Sequence, residues 1–203
     1  MKISEKNNKI LVIKFSTQKE MASTLIRFQE HYESPHFKSK IFSLAKFKKW
    51  YKKQNNNKFT YYTDWIGFNF PGHILLPFIV GYFNPLSKNE KLFLEKLSKY
   101  NITDYCIIGI YNGHTINHEM AHALFHQNYK YRNRVLNIVS KLTRKEKVEM
   151  KAILKKDGYH DNVMIDEIHA YLLPNDDKFN SIMTNNMEKV RNKLKLNLER
   201  NRW

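Results

Sequence analysis

The hydrophobic pattern of the chain changes near Thr115. Before this point, short apolar runs are bounded by turn residues, as in residues 105–111, which lie between Thr103-Asp104 and Asn112-Gly113. Such a run is typical of a buried strand. After this point, apolar residues recur at helical spacing almost to the end of the chain. We therefore expect an α+β fold, with a sheet-containing N-terminal half and a helical C-terminal half.

Two pairs of residues mark the starts of helices in the N-terminal half. Thr17 with Glu20, and Ser87 with Glu90, match the capping box, in which each side chain accepts a backbone N–H of the first helical turn. The predicted elements are a strand at residues 9–15, a helix to about residue 31, a helix after Ser43, one or two strands within 59–70, the helix that Ser87 caps, and the strand at 105–111.

The C-terminal half is predicted to contain four helices, at about residues 116–128, 132–142, 143–157 and 162–173. Thr143 and Glu146 cap the third helix, Gly158 ends it, and Pro174 stops the fourth. We expect one domain over residues 1–175. Residues 176–203 then form a basic C-terminal tail or helix, in which Val190, Leu194 and Leu198 recur at helical spacing.

Residues 114–126 carry the strongest chemical signal, with the sequence HTINHEMAHALFH. On a helix, His118 and His122 share a face about 6 Å apart along the axis, so both imidazoles can reach one metal ion. Glu119 then points beside the ion, where it can take a proton from a metal-bound water. A shuffled chain of this composition contains H-E-x-x-H with a probability of about 0.02. A third protein ligand would leave one position open, as in catalytic zinc sites.

This motif resembles the signature of the zincin metallopeptidases. The resemblance implies a small zincin-like domain with zinc peptidase activity, in which His118 and His122 bind Zn²⁺ and Glu119 is the general base. Metzincins continue with a glycine and a third histidine, and the glycine is missing here. His126 lies about 12 Å from His118 along the helix axis, too far to bind the same ion.

Gluzincins instead take a glutamate from a later helix, and the segment Asp-Glu-Ile-His-Ala-Tyr at residues 166–171 resembles theirs. The third ligand implied by this resemblance is Glu167. Asp166 and His169 are alternatives for the third ligand, and the helix could also simply pack with Glu167 in solvent.

Negative charge that develops on a substrate carbonyl needs a hydrogen-bond donor besides the metal. Tyr171 is the first candidate, because it lies four residues after Glu167 on the same helix face. His169, His160 and Tyr159 are the others. A buried tyrosine whose hydroxyl is already hydrogen-bonded would explain Tyr171 equally well.

Other polar residues near the motif have structural explanations beside functional ones. Asp166 either hydrogen-bonds a ligand imidazole or is exposed, and Asn117 and His114 are expected to cap the helix or face solvent. Zincin substrates often lie against a sheet edge. Residues 61–70 or 105–111 could supply that edge, or both could be core strands.

Composition limits the class of protein. The single cysteine, Cys106, excludes an internal disulfide framework and a cysteine-rich zinc finger, and we expect it to be a buried thiol. No apolar stretch approaches the roughly 20 residues that span a bilayer, and the N-terminal apolar run is too short for a signal peptide. We therefore expect a cytoplasmic protein without a membrane partner.

The chain has 35 Lys and Arg against 19 Asp and Glu, a formal net charge of +16. This charge favours a polyanionic partner, or else reflects the Lys- and Asn-rich composition typical of an AT-rich genome.

Three functions are compatible with the sequence: a zinc peptidase acting on a protein or peptide, an inactive zincin-like module that binds nucleic acid or an acidic protein, and a peptidase that cleaves a DNA-bound regulator. Nucleic-acid binding would weaken without tail lysines such as Lys193 and Lys195.

Two N-terminal segments, residues 27–35 and 64–72, resemble small uncharacterised proteins that are common in bacteriophage genomes. This resemblance implies no activity. An AT-rich composition suits such a source, and the expected location is then the host cytoplasm.

Overall fold

The computed structural model describes residues 1–7, 9–157, 159, 161–173 and 177–201. The predictions made for Gly158, His160, Pro174 and Trp203 fall outside these residues. The predicted α+β class is confirmed, since a four-stranded mixed sheet in the N-terminal half is followed by a mostly helical C-terminal half. The chain divides into two compact units, of which the second consists mainly of the chain from His114 onward.

The helices and strands follow the predicted order with small shifts at their ends. In the N-terminal half they are β1 (Lys2–Lys6), β2 (Ile10–Lys14), α1 (Gln18–Glu33), α2 (Leu44–Gln54), α3 (Tyr61–Asp64), β3 (Gly67–Pro71), α4 (Leu76–Ile79), α5 (Lys88–Leu97) and β4 (Cys106–Ile110). In the C-terminal half they are α6 (Ile116–Gln127), α7 (Tyr129–Ser140), α8 (Arg144–Lys156), α9 (Met164–Tyr171) and α10 (Asn185–Glu199). No described helix is long and apolar enough to cross a membrane.

The sheet has the strand order β1-β2-β4-β3, with β2 parallel and β3 antiparallel to β4. Helix α1 packs so closely on β4 that a Cβ at Gly109 would lie 2.2 Å from Cδ1 of Leu25. A glycine is therefore required where helix and strand meet. Because β4 has a partner strand on each side, residues 105–111 offer no edge to a substrate, and the alternative prediction of a core strand is confirmed. Strand β3 lies at the sheet edge.

Three short N-terminal elements differ from the prediction, namely β1, α3 and α4, and no helix was predicted at the position of α4. Residues 59–70 contain one strand, β3, and it is preceded by the helical turn α3, which the aromatic pattern did not indicate. The Asp64 carboxylate accepts hydrogen bonds from the hydroxyls of Tyr51 and Thr60, and the buried Tyr61 packs edge-on against Phe47. These contacts favour a turn at a segment whose residue types suit a strand. Strand β1 was missed because most of its residues are exposed and polar.

A buried ion pair anchors α1 to α5. The guanidinium of Arg27 contacts both carboxylate oxygens of Glu90, at 2.6 and 2.7 Å, and both side chains are almost fully buried. Glu90 also accepts the backbone N–H of Ser87, as the predicted capping box requires. One carboxylate therefore caps α5 and neutralises a buried cation.

The C-terminal unit is a set of packed helices. Helix α6 packs against α7 and α9, while α10 packs on α7. Apolar residues on one side of α10 are buried: Met187, Val190, Leu194 and Leu198. Residues 185–199 are therefore a packed helix. The predicted domain boundary at residue 175 stays a prediction.

The starts of α8 and α10 are hydrogen-bonded to each other. The predicted capping box of Thr143 and Glu146 is present at α8. The Glu146 carboxylate also accepts hydrogen bonds from the hydroxyl of Thr184 and, at 2.8 Å, from the amide of Asn186. Thr184 in turn caps α10 by accepting the backbone N–H of Met187. Both helix starts therefore share one carboxylate.

Candidate metal centre

The side chains of the candidate site come from α6 and α9. Met120, Ala121 and Leu124 of α6 are buried, and Phe125 is partly buried. The facing helix α9 buries Met164, Ile168 and Ala170. Because these apolar stripes hold the two helices together, polar residues on the adjoining faces are brought close to one another across the contact.

Three of these polar side chains converge: His118 and His122 of α6, and Glu167 of α9. Their donor atoms lie within 4.8 Å of one another and could hold a metal ion. The Nε2 atoms of the two histidines are 3.1 Å apart, and Nε2 of His122 is 3.8 Å from Oε2 of Glu167. Two nitrogens bound to one tetrahedral zinc ion at the usual distances are about 3.3 Å apart. The spacing of the imidazoles thus fits one shared ion.

Asp166 lies on the other side of the His122 ring. Its Oδ2 is 3.0 Å from Nδ1 of His122. A proton on Nδ1 that is donated to this carboxylate leaves the lone pair of Nε2 available to a metal. Of the two predicted alternatives to Glu167, Asp166 therefore lies on the Nδ1 side of His122, a candidate ligand, and is outside the converging group.

The Asp166 carboxylate also lies close to two other histidines. Nε2 of His126 lies 3.1 Å from the same Oδ2, and Nδ1 of His169 lies 3.4 Å from Oδ1. The buried His169 is held at its other nitrogen, 2.8 Å from the hydroxyl of Tyr131. His169 thus lies between Tyr131 and Asp166 and is outside the converging group.

Sequence reasoning missed the roles of His126 and Tyr131. The signal for His126 was available, because it follows His122 by four residues and so shares its helix face. The distance from His118 excludes His126 as a ligand of the same ion, and nothing in the sequence indicates its contact with Asp166. Tyr131 carried no signal, since its partner His169 lies 38 residues away in the chain.

The electrostatics of the group follow from burial and from the Asp166 carboxylate. Burial lowers the pKa of His118 to about 3, so this imidazole is neutral at pH 7. Burial also lowers the pKa of His122, but the charge and hydrogen bond of Asp166 reverse this effect and raise it to about 10. The burial of Asp166 acts to raise its pKa, yet His122, His126 and His169 hold that pKa well below its usual value.

Glu119 is buried beside this group. It follows His118 directly on α6, is 7% exposed, and its charge contributes to the raised pKa of His122. It is outside the set of converging donors. The Glu119 carboxylate is therefore close enough to His122 to affect its pKa, without being one of the three candidate ligands.

Two tyrosines lie on the His118 side of the group. The ring centroid of Tyr171 is 4.6 Å from that of His118, and its hydroxyl is 2.9 Å from the hydroxyl of Tyr159. The ammonium of Lys178 lies 4.8 Å from the centre of the Tyr171 ring. Of the four predicted oxyanion donors, Tyr171 thus contacts a candidate ligand, and Tyr159 contacts Tyr171.

The remaining residues that the sequence singled out lie apart from the converging group. His114 is exposed and Asn117 is half-buried. Cys106 is buried in β4, with its sulfur 3.7 Å from the backbone oxygen of Phe70, which confirms the prediction of a buried thiol.

Comparisons with protein-family models, with curated proteins and with solved structures find no match to this chain.

Proposed function

We propose that the protein is a zinc-dependent peptidase, with His118, His122 and Glu167 as the protein ligands. The observation that carries this proposal is the convergence of two imidazole nitrogens and a carboxylate on one position, with Asp166 bonded behind His122. Two imidazoles and one carboxylate form a donor set that suits zinc and leaves a fourth position open. A purely structural site would more often be closed by four protein ligands.

The chemistry requires one contribution from the ion and several from the chain. A bound Zn²⁺ lowers the pKa of water toward about 7 and polarises a carbonyl oxygen. Glu119 accepts the proton of the attacking water and later delivers it to the leaving amine. The carboxylate of Asp166 keeps the His122 ring in the orientation and tautomer that expose Nε2.

The Tyr171 hydroxyl supplies the second donor to the developing oxyanion in this proposal. Contact with the His118 ring holds the Tyr171 ring next to the ligand. The Tyr159 hydroxyl orients that of Tyr171 by the hydrogen bond between them. The substrate is a protein or peptide.

The first experiment measures the zinc content of tag-free protein after dialysis against Zn²⁺. We expect about one ion per chain in the parent, and none in His122→Ala or Glu167→Ala. His114→Ala is the matched control, since this histidine is exposed and outside the group, and it should retain the ion. Loss of zinc from the control, or its absence from the parent, would contradict the proposed site.

The second experiment separates peptidase activity from metal binding. The parent and Glu119→Gln are incubated with a peptide library, and the products are identified by mass spectrometry. Glu119→Gln should retain zinc while cleavage falls at least about 100-fold, because the general base is lost. A parent that holds zinc and cleaves nothing would instead favour the inactive binding module.

A further inference from the structure

We propose that the solvent-facing side of α2 binds the phosphate backbone of nucleic acid without reading its base sequence. The surface is formed by Lys46, Lys49, Lys52 and Lys53 and is called the α2 lysine face. It belongs to the N-terminal unit, and the inference is independent of the proposed peptidase activity.

The charge of this region is one-sided. Residues 34–63 contain eight lysines and neither aspartate nor glutamate. The four lysines of the α2 lysine face are exposed, and none of them forms an ion pair among the described residues. The surface therefore has a positive potential that no carboxylate of its own segment offsets.

The helix presents these lysines as a single stripe. At 100° per residue, Lys46, Lys49, Lys52 and Lys53 fall within an arc of about 120°. The opposite side of α2 is fixed in the aromatic core, where the ring of the fully buried Phe47 packs against Phe37 and Tyr61. The ammonium groups are thus carried on a rigid element and do not depend on a mobile loop.

Local stability does not explain this arrangement. Lysines three or four positions apart, such as Lys49 and Lys53, repel each other and lower helix stability. Lys46 lies in the first turn, where the helix dipole disfavours a cation. Helix α8 is also rich in lysine but intersperses acidic residues, including the i,i+4 pair of Lys145 and Glu149. Helix α2 lacks such compensation, which an external polyanion would supply.

The geometry of the face favours nucleic acid over other polyanionic partners. Lys46, Lys49 and Lys53 extend over about 10 Å along the helix axis, a length over which each strand of a duplex carries about three phosphates. The apolar residues of α2 are committed to the core and cannot enter a bilayer. The lysine face also lacks the aromatic anchor that protein interfaces concentrate at their centre.

The test measures binding of a fluorescently labelled 20-base-pair duplex DNA by anisotropy at several salt concentrations. The full-length protein should bind, with an affinity that falls as salt rises. The triple variant Lys46→Gln/Lys49→Gln/Lys53→Gln should bind at least about 30-fold more weakly in 0.1 M salt. The slope of log K against log salt should fall by about 2 to 3, since each lost phosphate contact contributes about 0.9.

A charge-matched control removes three exposed lysines of α10, in Lys189→Gln/Lys193→Gln/Lys195→Gln. It should lose less than about threefold, in contrast to the sequence-based expectation for the tail lysines. Equal losses in both variants would show that only the net charge matters and would overturn the proposal. The variant Lys46→Arg/Lys49→Arg/Lys53→Arg keeps the three positive charges and should bind like the parent. This result would show that the glutamine variant binds weakly because it has lost charge and not because it is misfolded. Absence of DNA binding at 50 mM salt, or binding to vesicles containing phosphatidylserine but not to DNA, would also overturn it.

Discussion

Oδ2 of Asp166 lies 3.0 Å from Nδ1 of His122, while Nε2 of the same ring faces His118. The two nitrogens of one imidazole are thus divided between a carboxylate and a candidate metal position. Asp166 is adjacent in sequence to Glu167, so one turn of α9 would provide both a ligand and the group that orients another ligand.

Replacing Asp166 by Asn should weaken metal binding 10- to 100-fold, because the imidazole of His122 loses the charge that makes it a stronger ligand. Affinity is measured by competition with a chromophoric chelator. Asp104→Asn makes the same change at an exposed ion pair with Lys9 and should leave affinity unchanged. Equal affinities for all three proteins would show that Asp166 has no role in holding the metal.

Metal binding should release about one proton per ion at pH 7. His122, whose pKa is about 10, is protonated in the free protein and must lose a proton when Nε2 binds a metal. His118, whose pKa is about 3, has none to lose. Affinity should therefore rise about tenfold per pH unit up to about pH 10. Calorimetry in buffers of different ionisation enthalpy counts the proton, and a count near zero would contradict this prediction.

The two tyrosine hydroxyls should differ in their effect on turnover. Tyr171→Phe keeps the ring that packs on His118 but removes the proposed oxyanion donor, so kcat should fall about 100-fold with zinc content unchanged. Tyr159→Phe removes only the partner of that hydroxyl, and a loss of about tenfold or less is expected. If both variants were less stable and equally active, the hydroxyl pair would be structural.

The stability of the N-terminal unit should decrease as pH rises from about 4.5 to 7. Burial raises the pKa of Glu30 from 4.5 to about 7, so in this range the folded protein holds a proton that the unfolded chain releases. The free energy of unfolding then falls by up to about 3 kcal/mol and levels off above pH 7. Urea denaturation of the parent and of Glu30→Gln at pH 5 and pH 8 measures this loss.

Glu30→Gln cannot ionise, so it should gain stability relative to the parent at pH 8 and not at pH 5. Glu95→Gln, on the exposed side of α5, is the control and should show no such difference. A parent and Glu30→Gln with the same pH profile would show that Glu30 ionises freely in the folded state.

Local signals in the sequence were sufficient for most elements and for the two histidines of the converging group. The capping boxes at Ser87 and Thr143 depend on residues three positions apart, and the pairing of His118 with His122 depends on a single helix face. Such relationships can be predicted from the sequence because both residues belong to the same helix or to its cap. Glu167 was found through its resemblance to a family pattern, since no periodicity indicates that α9 packs on α6.

Relationships between distant segments could not be predicted. Glu90 was recognised as a cap, but its ion pair with Arg27 joins residues 63 positions apart. The turn α3 was missed for the same reason, because its aromatic residues suit a strand until the Asp64 carboxylate and the α2 aromatics are brought beside it. Asp166 had two interpretations in the sequence, and only the position of the His122 ring distinguishes them.

The carboxylate of Glu146, shared by the starts of α8 and α10, makes these two helix ends one cooperative unit. Opening the start of α10 breaks the hydrogen bonds that Thr184 and Asn186 donate to Glu146 in addition to the cap of α10 itself, so α10 should fray less readily from Thr184 than from its other end. Its amide hydrogens near Met187 should exchange with solvent as slowly as those in the first turn of α8. Exchange along α10 should then begin at the opposite end, close to Glu199.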